Sequence, residues 1–469
     1  MEVRALSAAW FIRPRSVPGP AFMVLGQGQT TWFELPSFLH CGLCVCVRSG
    51  TGSVLMAEEQ GRIYLDHNAT TRQTPEVTAA VMECMERFWA NPSSIHLAGQ
   101  LARRRMEEAR GQVASLIGAE PDEIVFTSGG SESVNVAIRS ALESAPEKRV
   151  VVTSEVEHSA VRELLEVLAA DGVETIHPRK SRTGRVDPEA VREILSQRSE
   201  EVALVTVMWA NNETGVIEPI EEIAEICDQF GVPFHSDATQ WIGKMPTDVG
   251  RLPATMLSCA GHKFHGPKGT GVLWAKRGTL VKPCVIGGGQ EQGRRGGTEH
   301  VSGIVGLGVA AAQAETWLTD NGHERMLPLR DRFEAGIREA IPGTCVNGAT
   351  GPRIWSTSSI GFPDLEAELL LLVMSERGLD ASAGSACSSG ALKNSVVLEA
   401  MGRQPCQIPE EPYGSVRFSW CRETTKDELE RAAKIIADAV EAVRNIKPPT
   451  GPILTKKESG SVPDYSPKG

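Results

Sequence analysis

From Ile63 onward the chain alternates short apolar runs with stretches of helical spacing. Glu123-Ile124-Val125-Phe126 and Arg149-Val150-Val151-Val152-Thr153 are compact β-branched and aromatic runs, the first ending at a glycine turn. Val202 to Trp209 is apolar almost throughout, the pattern of a strand buried on both faces. Val232 to Asp237, Met256 to Ala260 and Gly271 to Ala275 predict three further strands. Between them lie helical patterns. Val134 to Leu142 is one, and Pro219 to Phe230 carries apolar residues at helical spacing. Asp187-Pro188-Glu189-Ala190 opens another with a capping residue and an early proline. Such alternation predicts an α/β fold with a mostly parallel central sheet and helices on both faces. Arg330 to Ala340 then predicts a helix, and shorter elements continue to about Ile446, read as a smaller C-terminal α/β domain. The expected division is a large domain over 61–320, whose first residues pack with the small domain, and a small domain over 321–448.

The ends read differently. Residues 1–60 hold Pro14, Pro18, Pro20 and several glycines without periodicity, and Met56 precedes the first patterned segment. They are expected to be a disordered leader or a start placed too far upstream. Residues 449–469, rich in Pro, Gly, Ser and Lys, are expected to be a disordered tail. Composition narrows the class. A chain of 469 residues is long enough for a large buried core, and its 41% apolar content is ordinary for a globular protein. No apolar run approaches the roughly 20 residues that span a bilayer. The net charge of −11 argues against nucleic acid as the main partner. Eleven cysteines, an odd number scattered over the chain, fit a reducing cytoplasm better than a disulfide scaffold. Cys41, Cys44 and Cys46 have no second ligand pair at metal-binding spacing, so no metal is expected.

Three constellations carry chemistry. Thr127-Ser128-Gly129-Gly130-Ser131-Glu132-Ser133 follows a strand and opens a helix, where backbone N–H groups, hydroxyls and the helix terminus can hold an anion. Asp237, in Ser236-Asp237-Ala238-Thr239-Gln240, ends a strand, where α/β folds place ligands. Lys263, in Gly261-His262-Lys263-Phe264-His265-Gly266-Pro267, stands between two histidines and close to glycines, a setting suited to a Schiff-base lysine. Each has an ordinary reading when taken singly: a Gly/Ser turn, a helix cap, a surface lysine. Together they supply a phosphate cradle, an acid for a pyridine nitrogen and an amine for an imine, which is what pyridoxal 5'-phosphate requires.

With these residues in view, the chain resembles the cysteine desulfurases of the NifS-like family, within the class V aminotransferase, fold type I pyridoxal-phosphate-dependent transferases. The likeness runs from Ile63 to about Ile446. Further markers are Tyr64-Leu65-Asp66-His67-Asn68-Ala69-Thr70-Thr71, Glu157-His158, Asn211-Asn212-Glu213-Thr214-Gly215, Gly287-Gly288-Gly289-Gln290-Glu291 and Gly384-Ser385-Ala386-Cys387. The resemblance implies that Lys263 binds the cofactor covalently and that Asp237 pairs with its ring nitrogen. It implies that Gln240 and Asn212 hold the ring's phenolic oxygen and the substrate, and that His158 stacks on the ring as a proton shuttle. Gly130, Ser131 and His262 match phosphate contacts. Thr298, in Arg294-Arg295-Gly296-Gly297-Thr298, matches a residue that reaches the phosphate of a neighbouring subunit, which implies a homodimer. Arg417 matches the arginine that grips the substrate carboxylate. Cys387 matches the nucleophile that takes sulfur from L-cysteine as a persulfide, leaving alanine, and passes it to an acceptor such as an iron–sulfur scaffold protein.

The chain departs from that pattern in places. Ala260 stands where relatives usually have a serine, and Ser131 replaces a commoner threonine. Leu392-Lys393-Asn394-Ser395 and Trp420-Cys421-Arg422 are also unusual, and Cys421 is an unexpected thiol. Two rival functions follow from the same residues: a selenocysteine lyase, or a non-enzymatic sulfur carrier or scaffold. The second sits poorly with the presence of both Lys263 and Asp237.

Overall fold

The structure, a computed structural model of the chain, describes three strands before residue 35 and residues 61–384, 395–402 and 413–445. By internal contacts the chain forms two units, Met1–Ile63 and Tyr64–Gly469. In the first, β1 (Ala8–Ala9), β2 (Ala21–Gly26) and β3 (Gln29–Glu34) pair as an antiparallel sheet in that order, where the sequence shows no periodicity.

After β4 (Ile63–Tyr64), the second unit is built on a seven-stranded sheet. Its strands are β5 (Ile124–Thr127), β6 (Val150–Thr153), β7 (Glu174–Ile176), β8 (Val202–Thr206), β9 (Phe234–Asp237), β10 (Met256–Ala260) and β11 (Gly271–Ala275), in the order β5-β11-β10-β9-β8-β6-β7. β11 runs antiparallel to both neighbours and the other pairings are parallel. Six of these strands are buried along their whole length, as continuous apolar runs require; β7, at the edge, is not. β8 ends at Thr206, short of the expected Trp209, although Val207 and Trp209 still donate their N–H groups to the His235 and Asp237 carbonyls of the neighbouring strand.

Connecting helices cover the sheet. α1 (Pro75–Arg87) starts at a Thr74 cap, and α2 (Leu97–Ile117) stops at Gly118 in the left-handed region. α3 (Gly130–Ser144) and α4 (Ser159–Ala169) pack leucine, valine and isoleucine against β5, β6 and β8. α5 (Pro188–Arg198) is capped by Asp187, and α6 (Ile220–Gln229) follows Pro219, as the sequence predicts. α7 (Val301–Thr319) is apolar on most faces and largely buried. α8 (Gly322–Ala340) starts two turns before the expected Arg330, with Pro328 inside it; the missing proline N–H made the boundary look later.

A second sheet, β12 (Cys345–Val346), β13 (Thr357–Pro363) and β15 (Tyr413–Ser419), is antiparallel throughout. β14 (Leu379–Asp380) follows α9 (Ala367–Glu376). α10 (Val396–Ala400) precedes β15, and α11 (Lys426–Arg444) closes the unit with a Thr425/Glu428 capping box. Residues 65–67 join this sheet: Leu65 N–H donates to the Asp380 carbonyl and His67 N–H to that of Ser419. The segment after them, Asn68 to Thr71, therefore lies between the two sheets' functional edges, where Thr71 N–H donates to the His262 carbonyl.

Candidate active site

Strand register gathers the three constellations. β5, β9 and β10 point the same way, so Thr127, Asp237 and Ala260 end at one edge of the sheet. Gly271 of β11 lies opposite both Thr127 and Ala260. A Cβ at Gly271 would stand 2.5 Å from the backbone of Gly129, so a glycine there is what lets the cradle turn rest on the sheet.

The cradle fits an anion. α3 begins at Gly130 with no side chain capping its N-terminus. The Thr239 hydroxyl is buried without a hydrogen-bond partner among the described residues, and a Cβ on Gly130 would fall 2.9 Å from it. A helix N-terminus beside an unsatisfied buried hydroxyl matches the donors that a phosphate takes up. Ser131 is exposed in the first turn of the same helix. Thr239 also donates its N–H to Asp237 Oδ1 at 3.0 Å, which ties the acid's orientation to the cradle.

Lys263 sits on a single turn directly after β10 and donates to the carbonyls of Asn68 and Ala69 at 2.6 and 2.9 Å. His262 beside it contacts the Thr70 hydroxyl through Nδ1 at 3.2 Å, and burial, then Lys263 and Lys268, push its imidazole down to about 4. It is therefore neutral at pH 7, able to donate one ring proton. Asn68, fully enclosed, is the hub. Its carbonyl accepts from Lys263 and from Gln240 Nε2 at 3.1 Å. Its amide Nδ2 donates to the Asn212 carbonyl at 3.1 Å and to Thr357 Oγ1 at 2.8 Å.

Arg417 comes from β15 on the second sheet and is 4% exposed. Nη2 donates to Asp66 at 2.6 Å, and Nη1 to the carbonyls of Asn212 and, at 3.4 Å, Gly384. Its Nε is buried without a partner among the described residues, as is the side-chain oxygen of Asn212. His158 caps α4, accepting the Ala160 N–H on Nδ1 at 3.2 Å. The two loops bearing His158 and Asn212 are bonded together. Asn211 Nδ2 donates to the Val156 carbonyl, and Glu157 Oε1 accepts from Ser154 Oγ and Met208 N–H. Burial raises the Glu157 carboxyl to about 8, so it is a neutral acid at pH 7.

The site residues read from the sequence thus fall into two groups. Lys263, Gln240, Asn212 and Arg417 are joined through Asn68, Asp237 and Gly130 meet at Thr239, His262 reaches Thr70, and Ser131 and His158 stand at the starts of α3 and α4. Thr298 is exposed on a loop whose base is clamped by a buried Arg110–Glu291 pair at 2.7 Å. Cys387 lies outside the described residues. The residues on either side of that stretch meet one side chain: Glu213 Oε2 accepts from Ser395 Oγ at 2.5 Å, and a Cβ on Gly384 would stand 3.1 Å from the same oxygen. Cys421 is buried and its thiol is pushed up by burial, the environment of an inert cysteine. Sequence reasoning assigned no role to Asn68, Asp66, Thr239, Glu213 or Lys244; four of them stand in quoted motifs, and Lys244 had no local signal at all.

The family profile described as aminotransferase class-V matches residues 63–432. The chain is 43% identical over 386 residues to cysteine desulfurase 2 of Trichormus variabilis, covering 82% of this chain and 95% of that protein. It is 43% identical over 389 residues to cysteine desulfurase NifS of Azotobacter vinelandii, covering 82% and 94%. Among solved structures, a NifS-like protein superposes with a TM-score of 0.73 at 32% identity, over 81% of this chain and all of the other. The chain belongs to the class-V aminotransferase family.

Proposed function

We propose that this protein is a pyridoxal-phosphate-dependent cysteine desulfurase, converting L-cysteine to L-alanine and carrying the sulfur away as a persulfide on Cys387. The observation that carries the reading is the convergence of Lys263, Gln240 and Arg417 round Asn68, with Asp237 tied through Thr239 to an anion cradle whose buried Thr239 hydroxyl has no partner among the described residues. Lys263 would hold the cofactor covalently, with Asp237 at its ring nitrogen, Gln240 at its phenolic oxygen, and Gly130, Ser131 and His262 at its phosphate. When bound, the cofactor supplies an electron sink for the bonds at the substrate's α-carbon.

The protein's own groups do the rest. The unpartnered Nε of Arg417 is placed to take the substrate carboxylate, while Asp66 keeps the guanidinium oriented. With Nδ1 engaged by Ala160, His158 moves protons through Nε2. The Cys387 thiolate attacks the substrate sulfur: an S–S bond forms, the C–S bond breaks, and its electron pair stays with the carbon, which is protonated to give alanine. An acceptor such as an iron–sulfur scaffold protein then takes the persulfide sulfur.

The same reading makes the chain a cytoplasmic homodimer in which Thr298 completes the partner's phosphate site, with a large domain over 61–320 and a small one over 321–448. Exposed Met82, Met85, Trp89, Ile95 and Leu97, on or next to α1 and the start of α2, support a covered face. Among the described residues no helix is long and apolar enough to cross a membrane. Thr298→Ala and Lys263→Ala subunits, mixed, should regain activity, since one of the two shared sites is then intact; a mixture no better than the mean of its parents refutes sharing. The function is tested by measuring alanine released from L-cysteine and L-selenocysteine in parallel, with persulfide mapping. Alanine from selenocysteine alone would make the protein a selenocysteine lyase, and release from neither would leave the scaffold reading.

A further inference from the structure

Lys244 is a lysine inside the site that the mechanism above does not use. It lies seven residues after Asp237 and is 4% exposed. Its ammonium donates to Gln240 Oε1 at 2.6 Å and to Asn68 Oδ1 at 3.1 Å. Its backbone is pinned as well, since the Trp355 indole donates to the Lys244 carbonyl at 2.9 Å. Both acceptors are uncharged amide oxygens, so among the described residues no carboxylate bonds to it. Burying an ammonium without a counter-ion is costly, and a lysine kept there needs a purpose.

Donor chemistry supplies one. Lysine has no acceptor, so whichever amide atom of Gln240 faces Lys244 must be the oxygen. The Gln240 NH2 is then forced to the other side, where it donates to the Asn68 carbonyl, the same carbonyl that receives Lys263. Asn68 is fixed in the same way. Lys244 takes its Oδ1, which leaves Nδ2 to hold Asn212 and Thr357. One buried ammonium therefore sets the direction of two amides on either side of Lys263.

We propose that Lys244 is a positioning residue, one that turns the Gln240 amide so that its N–H groups face the cofactor's phenolic oxygen and, while protonated, adds a positive charge behind that contact. The proposal rests on the cysteine desulfurase reading of the site. Both effects stabilise negative charge on that oxygen and oppose protonation of the Lys263–cofactor link, so they act in one direction. The neighbouring charges agree with a crowded cationic pocket: burial first, then Lys263 and Arg417, push Lys244 down to about 7, and it in turn presses on His67, His262 and His265. Cys421 also faces it, but its thiol is pushed up by burial and stays neutral, so it offers the ammonium no counter-charge.

The test uses the cofactor-loaded enzyme and does not depend on turnover. Wild type, K244M and K244R are titrated across pH while the visible band of the bound cofactor is followed. The midpoint in K244M should rise by about one pH unit, the scale of losing one nearby charge. K244R keeps the charge and the donors and should titrate as wild type. An unchanged midpoint in folded, loaded K244M overturns the proposal, and so does an equal shift in both variants. If K244M fails to fold by near-ultraviolet circular dichroism, K244Q, uncharged, replaces it under the same criteria. Borohydride reduction and peptide mapping of wild type check the underlying reading separately: a cofactor label on a lysine other than Lys263 overturns that reading and this one with it.

Discussion

Replacing Glu157 by glutamine should make the protein less sensitive to alkaline pH. The carboxyl is 1% exposed, with Ser154 and Met208 donating to Oε1 and none of the described residues bonded to Oε2. Burial lifts it from 4.5 to about 8, and the charges of Asp237 and Glu218 add to the shift. A carboxyl raised in this way is protonated in the folded state while the unfolded chain releases its proton above about 4.5, so stability is lost as pH rises from there and levels off beyond 8. At ~1.4 kcal/mol per unit, the loss is about 2 kcal/mol by pH 6 and about 5 by pH 9. Glutamine keeps the acceptor oxygen and cannot ionise. Its extra buried N–H adds a fixed cost of about 1–3 kcal/mol at both pH values. Glu218, also raised to about 8, is present in both proteins, so most of its own decline cancels. Urea unfolding of the two apoproteins at pH 6 and pH 9 should therefore show the stability gap moving by about 3 kcal/mol in favour of glutamine. A gap that does not change with pH refutes the neutral-acid assignment.

Lys263→Ala should purify without the covalent cofactor band, and full retention of a borohydride-stable label would contradict its role. Cys387→Ala should keep the band and lose at least about 10³-fold in alanine formation from L-cysteine; wild-type rates, measured by alanine assay, would remove the nucleophile from Cys387. Gly243→Ala combines a φ of +78° with a Cβ 2.6 Å from Phe264 Cγ. It should cost about 2–4 kcal/mol in urea unfolding, and because Phe264 follows Lys263 it should also weaken cofactor retention. A Gly243→Ala protein as stable as wild type contradicts that packing argument.

The central sheet was legible because parallel strands buried on both faces must be apolar runs, and β5, β6, β9, β10 and β11 stand within a residue or two of their expected places. The antiparallel direction of β11 was not legible, since composition does not encode which way a strand runs. β7 was missed for the opposite reason: Glu174-Thr175-Ile176 is a half-exposed edge with too little apolar surface to signal. Lys263, Asp237 and the cradle stood out because glycines and strand ends mark them locally. Asn68 and Lys244 did not, because their importance comes from contacts between positions 176 residues apart that no local pattern records.

Gly384 and Ser395 both rest on Glu213, and the Gly384 carbonyl also accepts from Arg417. Cys387 is three residues beyond Gly384. Whatever course residues 385–394 take, chain geometry holds the Cys387 Cα within about 11 Å of the Gly384 Cα. A thiol leashed in that volume has an effective concentration on the order of 0.3 M near Arg417, the residue proposed to receive the substrate. On the proposed mechanism, the held Gly384 does by tether what a rigid scaffold would do by shape, making the attack on sulfur in effect unimolecular. Lengthening the leash between Gly384 and Cys387 by a few residues would dilute the thiol without touching a single group in the cofactor site.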